Sequence, residues 1–213
     1  MSDTATLLDL DATSALESVV FAARSESRAA ADKLAAIVAF CDCHPVVDER
    51  DVAAAWPADA CLDGGVVAPP LAGEGCPQVT EDAVHELSAA LGISHQAALG
   101  LVGRTLELRF RLPRLWWLVQ DLTLPAWQAL KAAEHTIHLS REAAGFVDRH
   151  LAVAGKRGRL TGQTITSTVG LAEARFEPER AAPASRTRWR RAGCGSTSAR
   201  TPRRPPTCTP GWT

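Results

Sequence analysis

The sequence predicts an all-α protein: a long N-terminal helix, a bundle of short helices and a disordered C-terminal tail. Two proline–tryptophan segments, 112–116 and 124–127, place proline where a helix would begin. The fixed φ of proline suits the first helical position, and the N–H that it lacks is not needed there. The tryptophan that follows is expected to wedge between packed helices. The Ala-rich composition, with no Tyr and five Phe, also favours helix over sheet.

The first helix is predicted over residues 14–44, after a flexible N-terminus at 1–13. Ser14 and Glu17 form a capping box at its start, and Pro45 ends it. Its apolar positions alternate by four and three residues, which places them on one stripe: Leu16, Val20, Ala23, Ser27, Ala30, Leu34, Ile37 and Cys41. We expect this stripe either to pack on the rest of the chain or to pair with a second copy in a homodimer.

A Pro- and Gly-rich linker is predicted at 45–78, with a short helix near Val52–Trp56. A helical module follows at 79–179. Its first helix opens at Thr80 and closes at Gly92, and its second runs from Ser94 to about Phe110. Four more helices are predicted at 113–120, 125–138, 141–153 and 162–176, with Pro178 as a stop.

Charge is unevenly distributed along the chain. The net charge is −1, but residues 180–213 hold eight Arg and no acid, which leaves −9 for residues 1–179. An acidic body argues against broad nucleic-acid binding by that body. The chain has no apolar run long enough for a transmembrane helix and no evident signal peptide, so a cytoplasmic protein with no membrane partner is expected.

The tail at 180–213 has two interpretations. Its Arg, Pro, Ser and Thr content is typical of a basic arm that binds DNA. The same mixture also arises when GC-rich DNA is read out of frame. The codons for residues 207–213, read from each third base, permit Leu-His-Ala-Arg-Leu-Asp, an ordinary amphipathic segment. The second interpretation fits better and predicts out-of-frame translation from about residue 183.

Several short motifs in the body occur in an order that resembles a known family. They are 86–94 (ELSAALGIS), 111–113 (RLP), 124–127 (LPAW), Glu134, 138–140 (HLS), 143–144 (AA), 147–148 (VD), 158–161 (GRLT) and 174–179 (ARFEPE). In that order they resemble domain of unknown function 222 (DUF222), also called the 13E12 repeat family, over about residues 14–180. The family is common in high-GC Gram-positive bacteria.

The resemblance implies a mostly helical region that often precedes an HNH endonuclease domain, whose chemistry needs a divalent metal. This chain shows no HNH region after residue 180, so no catalytic residue and no cofactor is assigned to it. The resemblance therefore predicts a truncated, non-catalytic relative of HNH-associated proteins. A helical self-association module and a DNA-binding protein are the alternatives.

Two basic groups are candidates for contacts with DNA. The first lies near Phe110, Trp116 and Trp117, where cations and aromatic rings could hold phosphates and bases: Arg104, Arg109, Arg111 and Arg114. The second is a short basic loop: Lys156, Arg157 and Arg159. The alternative for both is a solvated surface, with the aromatic rings in the core.

Two further patterns could hold a metal ion, and neither is complete in the sequence. Cys41, Cys43 and His44 resemble half a zinc site, for which Cys61 and Cys76 would have to supply the rest. His135 and His138, next to Glu134, are predicted three residues apart on one helix, whereas zinc-protease helices space their His four apart. Burial of Cys41 in the core and ordinary surface roles for the His residues are the favoured interpretations.

Overall fold

The computed structural model describes residues 11–53 and 71–181, and most of these residues are helical. The described ranges contain no strand; two isolated antiparallel bridges join Pro45 to Val79 and Val52 to Thr80. The all-α prediction is therefore confirmed. Seven helices of eight residues or more are followed by a single turn: α1 (Ala12–Asp42), α2 (Glu81–Leu91), α3 (His95–Phe110), α4 (Pro113–Gln120), α5 (Ala126–Glu134), α6 (Arg141–Lys156), α7 (Gly162–Phe176) and α8 (Pro178–Ala181).

Most helix starts are fixed by a side chain that can be read from the sequence. The side-chain oxygen of four cap residues accepts a hydrogen bond from the backbone N–H of the third residue after it: Thr80, Ser94, Ser140 and Thr161. Gly92 closes α2 with φ 64°, a left-handed conformation in which glycine carries no Cβ penalty. The predicted limits of α2, α3, α4 and α7 are confirmed within a residue.

The start of α1 differs from the prediction. Asp11, not Ser14, is the cap residue, because its Oδ1 accepts a hydrogen bond of 2.8 Å from the Ser14 N–H. The expected capping box at Ser14 and Glu17 is therefore wrong, and Ala12 and Thr13, predicted to be flexible, are helical. Residues 1–10 lie outside the described ranges.

Four other limits are corrected. Helix α1 ends at Asp42, two residues before the predicted end. Helix α5 ends at Glu134, four residues before the predicted end, and the chain continues in turns to His138. Helix α6 continues three residues further, to Lys156. Pro178, predicted as a stop, occupies the first position of α8, where proline is favoured. The predicted disordered, out-of-frame tail falls on residues outside the described ranges, apart from the first two.

Helix α1 is packed over only part of its length. Its last third supplies buried residues to the core: Ala31, Leu34, Ile37, Val38 and Cys41. Residues 15–26 are all exposed, and the exposed fractions of Leu16 and Phe21 are 64% and 74%. The predicted stripe therefore divides: Leu34, Ile37 and Cys41 pack on the bundle, whereas Leu16, Val20 and Ala23 do not.

Helix α3 lies between two hydrophobic clusters. One joins Leu99, Val102 and Leu106 of α3 to α2 and to the end of α1. The other joins Leu108 to α4, α5, α6 and α7. Leu101 packs against both clusters. This arrangement makes α3 the central element of the described fold.

The end of the predicted linker belongs to the core. Leu71, Ala72 and Val79 are buried in the cluster with α2 and α3. A Cβ at Gly103 would lie 2.2 Å from the Leu71 carbonyl oxygen, so only glycine lets this segment approach α3 so closely. Near the predicted short helix, one 3₁₀ turn forms at Glu49–Asp51 instead, and residues 54–70 lie outside the described ranges.

A buried ion pair links α3 to the segments around it. Nη1 of Arg111 lies 3.0 Å from both carboxylate oxygens of Glu107, and neither side chain has exposed surface. Glu107 also accepts hydrogen bonds from the Gly73 N–H (2.9 Å) and the Thr136 hydroxyl (2.8 Å). Arg111 donates further to carbonyl oxygens in the turn after α5: Thr136, Ile137 and Leu139. Such hydrogen bonds offset the cost of burying two charges.

No helix in the described ranges has both the length and the apolar character needed to cross a membrane.

Replacing Arg111 with Ala should strongly destabilise the protein. The change leaves the Glu107 carboxylate buried without its cation, which typically costs about 3–5 kcal/mol. Urea unfolding followed by circular dichroism measures the free energy of unfolding. Arg104→Ala is the matched control, since Arg104 pairs with Glu134 at 3.8 Å and both side chains are partly exposed to solvent, so the change should alter that free energy by less than about 1 kcal/mol. Equal small losses for both variants would contradict the role of the ion pair.

Candidate functional site

The outer half of α1, residues 12–26, is the most distinctive surface of the described chain. Leu16, Val19, Val20 and Phe21 are large apolar side chains that remain exposed on one helix. Single exposed apolar residues are ordinary, but adjacent ones on one element indicate an interaction surface. The stripe residues Leu16, Val20 and Ala23 all lie on this half.

Leu122 borders this surface from the turn after α4. A shallow groove is lined by Leu122 and by Val20, Ala23 and Ser27 of α1. Among the described residues, Leu122 is the one non-glycine with positive φ, at 57°, a conformation that costs about 1–2 kcal/mol for most residues. The turn therefore holds a leucine beside the outer half of α1 at some conformational cost.

The arginines of the first predicted DNA-contact group differ in exposure: Arg111 is buried, Arg104 and Arg109 are partly exposed, and Arg114 is exposed. Arg111 is buried in its pair with Glu107, so its prediction as a contact is wrong. Arg104 donates to the Gly100 carbonyl oxygen at 2.8 Å and is two-thirds buried. Arg109 lies over the rings of Phe110 and Trp116, at 5.7 and 5.6 Å from their centroids. These contacts occupy the cations within the protein.

Of the tryptophans expected as wedges, one is buried and one is not. Trp116 keeps 5% of its surface and packs with the larger cluster. Trp127 is 67% exposed, so the prediction that it wedges between helices is wrong. Trp117, next to Trp116 on α4, is also exposed.

Arg114 takes part in an unusual helix cap. Leu112, which precedes α4, has no side chain that can cap it. Asp148 of α6 supplies the cap instead: its carboxylate accepts from the backbone N–H groups of Leu115 (3.0 Å) and Arg114 (3.2 Å). The Arg114 guanidinium also lies 3.4 Å from Asp148. Burial raises the pKa of Asp148, although these hydrogen bonds and the guanidinium oppose the change.

The second predicted group stays available at the surface. Lys156, Arg157 and Arg159 are all exposed where α6 ends. Gly158, with φ 64°, turns the chain between them toward α7. The structure therefore keeps these three cations together in one short loop.

Among the described residues, neither metal pattern noted in the sequence is assembled. Cys41 is buried in the core, where burial is the main cause that raises its pKa to about 11. Cys76 lies instead against Glu107 and Leu106, and its pKa is raised to about 12, again mainly by burial. Buried protonated thiols are poor metal ligands. Cys61 lies outside the described ranges.

The predicted pairing of His135 with His138 on one helix is wrong, because α5 ends before both. His135 follows the last residue of α5, and His138 lies in the next turn. His138 instead pairs with Glu173 of α7 at 2.8 Å.

A different cluster was missed in the sequence. Glu81 and His85 lie one turn apart on α2, and His95 is the first residue of α3. Their ligand atoms all lie within 4.8 Å of one another, and no other three-residue group of this kind occurs in the described ranges. The sequence held a signal: the i, i+4 spacing of Glu81 and His85, and the tight α2–α3 turn predicted at Gly92.

Comparisons of this chain with protein-family models, curated proteins and solved structures find no match. The resemblance to the 13E12 repeat family therefore stays a prediction from the sequence motifs.

Replacing Asp148 with Ala should destabilise the protein by about 1–3 kcal/mol, because the buried N–H of Leu115 and the partly buried N–H of Arg114 lose their acceptor at the start of α4. Asp148→Asn is the matched variant that keeps one acceptor oxygen and cannot ionise. Urea unfolding at several pH values measures both effects.

The contribution of Asp148 to the free energy of unfolding should change with pH in a defined direction. Since the folded protein raises the pKa of Asp148, its contribution to stability is full below the unfolded value, about 3.9. It is lost as pH rises through the folded pKa. The free energy of unfolding of the wild type minus that of Asp148→Asn should therefore fall as pH increases across this window. A rise would show that hydrogen bonding, not burial, dominates.

Proposed function

We propose that this chain is a helical association module that pairs with a second copy of itself through the outer half of α1. The observation that carries the proposal is the exposure of Leu16, Val19 and Val20 on a helix whose other end is packed in the core. An amphipathic helix gains most of its stability by burying its apolar stripe, and here half of that stripe stays exposed, with Leu122 along one side.

The stripe favours a coiled-coil contact. Its spacing by four and three residues places Leu16 and Ala23 at d positions of a heptad and Val20 at an a position. In an antiparallel pair, a residues of one helix lie opposite d residues of the other. Val20 then faces Ala23 of the second copy, and Leu16 faces Ser27 of the second copy, twice each by symmetry.

Charges on the same helix half select this register. Glu17 and Arg24 occupy successive e positions, which flank the seam. With Val20 opposite Ala23 of the second copy, Glu17 lies next to Arg24 of the second copy, and the contact occurs twice. Shifting the pair by one heptad, so that Val20 faces Leu16, brings the two Glu17 side chains together instead. Opposite charges at such positions determine partner orientation.

The resemblance to the 13E12 repeat family is consistent with this proposal. We infer that the helical region is the non-catalytic, DUF222-like part of an HNH-associated protein, and that self-association is what this region contributes. Pairing through α1 uses residues outside the motifs that carry the resemblance, so it does not depend on any nuclease residue.

The double variant Leu16→Glu/Val20→Glu should abolish association, because it places two charges on the seam itself. Sedimentation equilibrium between about 10 and 500 µM measures the mass of the full chain. The wild type should shift from monomer toward dimer, while the double variant stays monomeric. Leu171→Glu is the matched control: Leu171 is an apolar residue of α7 with 63% exposure, outside the proposed surface.

Charge exchange tests the register. Glu17→Arg alone should weaken association, because it brings four arginines together, two from each copy. Glu17→Arg/Arg24→Glu should restore association, because opposite charges meet again. A wild type that stays monomeric over the whole range would refute the proposal, as would a dimer unaffected by both sets of changes.

A second candidate function is contact with DNA through the basic loop. Its support is the exposure of Lys156, Arg157 and Arg159 in one turn. Replacing all three with Ala should weaken binding of a DNA duplex and lower the slope of log K against log salt by about 0.9 for each phosphate that is no longer neutralised. Arg149→Ala, an exposed cation elsewhere on α6, is the control. Equal binding by the triple variant, or no binding by the wild type, would exclude this function.

A further inference from the structure

The turn between α2 and α3 brings together three side chains that can bind a metal. Thr80 starts α2 so that Glu81 occupies its first position and His85 lies one turn later on the same face. Gly92 and Ser94 then start α3 with His95 as its first residue. The short connection folds α3 back on α2, which places His95 beside the other two side chains.

Two distances between ligand atoms of this group lie near the value expected around a small divalent ion. Nε2 of His95 lies 2.7 Å from Oε1 of Glu81, and Nε2 of His85 lies 3.9 Å from the same oxygen. Tetrahedral zinc, with bonds of about 2.0–2.2 Å, holds its ligand atoms about 3.3 Å apart. The two separations lie on either side of that value.

The two imidazole rings are stacked. Their centroids are 4.0 Å apart and their planes differ by 16°. Nδ1 of His95 is buried without a hydrogen-bond partner, so the polar contact of that ring is made by Nε2, on the side that faces Glu81. Both Nε2 atoms therefore lie near the same carboxylate oxygen. Because imidazole lone pairs lie in the ring planes and these planes are nearly parallel, the exposed His85 ring has to rotate before both nitrogens can bind one ion.

The surroundings favour a cation. Helix α2 carries Glu81, Asp82 and Glu86 and has no Lys or Arg. His85 is exposed and Glu81 is partly exposed, so an ion has access from solvent. Two imidazoles and one carboxylate form the ligand type preferred by zinc and similar transition metals, whereas Mg²⁺ and Ca²⁺ prefer oxygen ligands alone.

We propose that Glu81, His85 and His95 form a binding site for one divalent transition-metal ion, such as Zn²⁺, with a water molecule as the fourth ligand. The ion would join the start of α2 to the start of α3. Bound metal then stabilises the helical hairpin, because an ion that binds only the folded form adds to the free energy of unfolding.

Titration of the full chain with Zn²⁺, followed by calorimetry at pH 7, tests the site. We expect one equivalent to bind with a dissociation constant in the micromolar range. Glu81→Gln, His85→Ala and His95→Ala should each weaken binding at least tenfold, and Mg²⁺ should not bind at the same concentrations. His138→Ala is the matched control, since His138 also pairs with a glutamate at 2.8 Å but belongs to no three-residue cluster in the described ranges.

Two measurements on the unmodified chain make the result independent of how the variants fold. Zn²⁺ should shift the ring resonances of His85 and His95 in NMR spectra, and Co²⁺ should give the visible absorption typical of tetrahedral coordination. Zinc binding that survives the double change His85→Ala/His95→Ala would place the ion elsewhere, for instance on Cys43, and overturn the proposal. Absence of saturable binding by the unmodified chain would also overturn it.

Discussion

The contact between Glu107 and Arg111 determines how the segments of this protein meet. Both residues lie near the end of α3, and their charged groups are fully buried. Glu107 holds the segment at Gly73 from one side and Thr136 from the other, while Arg111 binds the carbonyl groups that follow α5. Each of these polar groups would be costly to bury alone. The segment before α2 and the turn between α5 and α6 are therefore fixed to α3 by one set of hydrogen bonds.

Packing around α3 explains the remaining arrangement. In one hydrophobic cluster α3 packs against α2, and in the other it packs against α4 to α7. The last third of α1 contributes to both clusters. Helix α4 has no cap of its own and takes one from Asp148, which ties α4 to α6 at a defined register. The proposed zinc site lies on the α2 side of α3 and the Asp148 cap on the other, so the two can be altered independently.

The helix starts could be predicted because they depend on residues close together in the sequence. Contacts between residues that are distant in the sequence could not be predicted. Caps such as Thr80 and Ser140, and proline at the start of α4, act within a few residues and can be read from the sequence. The burial of Arg111 depends on Gly73 and Thr136, which are distant in sequence, so a solvated or DNA-binding arginine was the natural expectation. The cap from Asp148 and the meeting of His95 with Glu81 depend on tertiary packing in the same way, and the stripe of α1 could not reveal where its packing stops.

The divided packing of α1 has a consequence for its internal order. An isolated helix of about 15 residues is marginal in water, so the outer half stays helical mainly by extension from the packed half. Opening should begin at the Asp11 cap and proceed inward, with amide hydrogen exchange slowing gradually toward Ala31. A partner bound to the outer half would slow amide exchange there and so reduce the difference in exchange rate along the helix. Binding of a partner and helix formation in the outer half of α1 are therefore coupled equilibria.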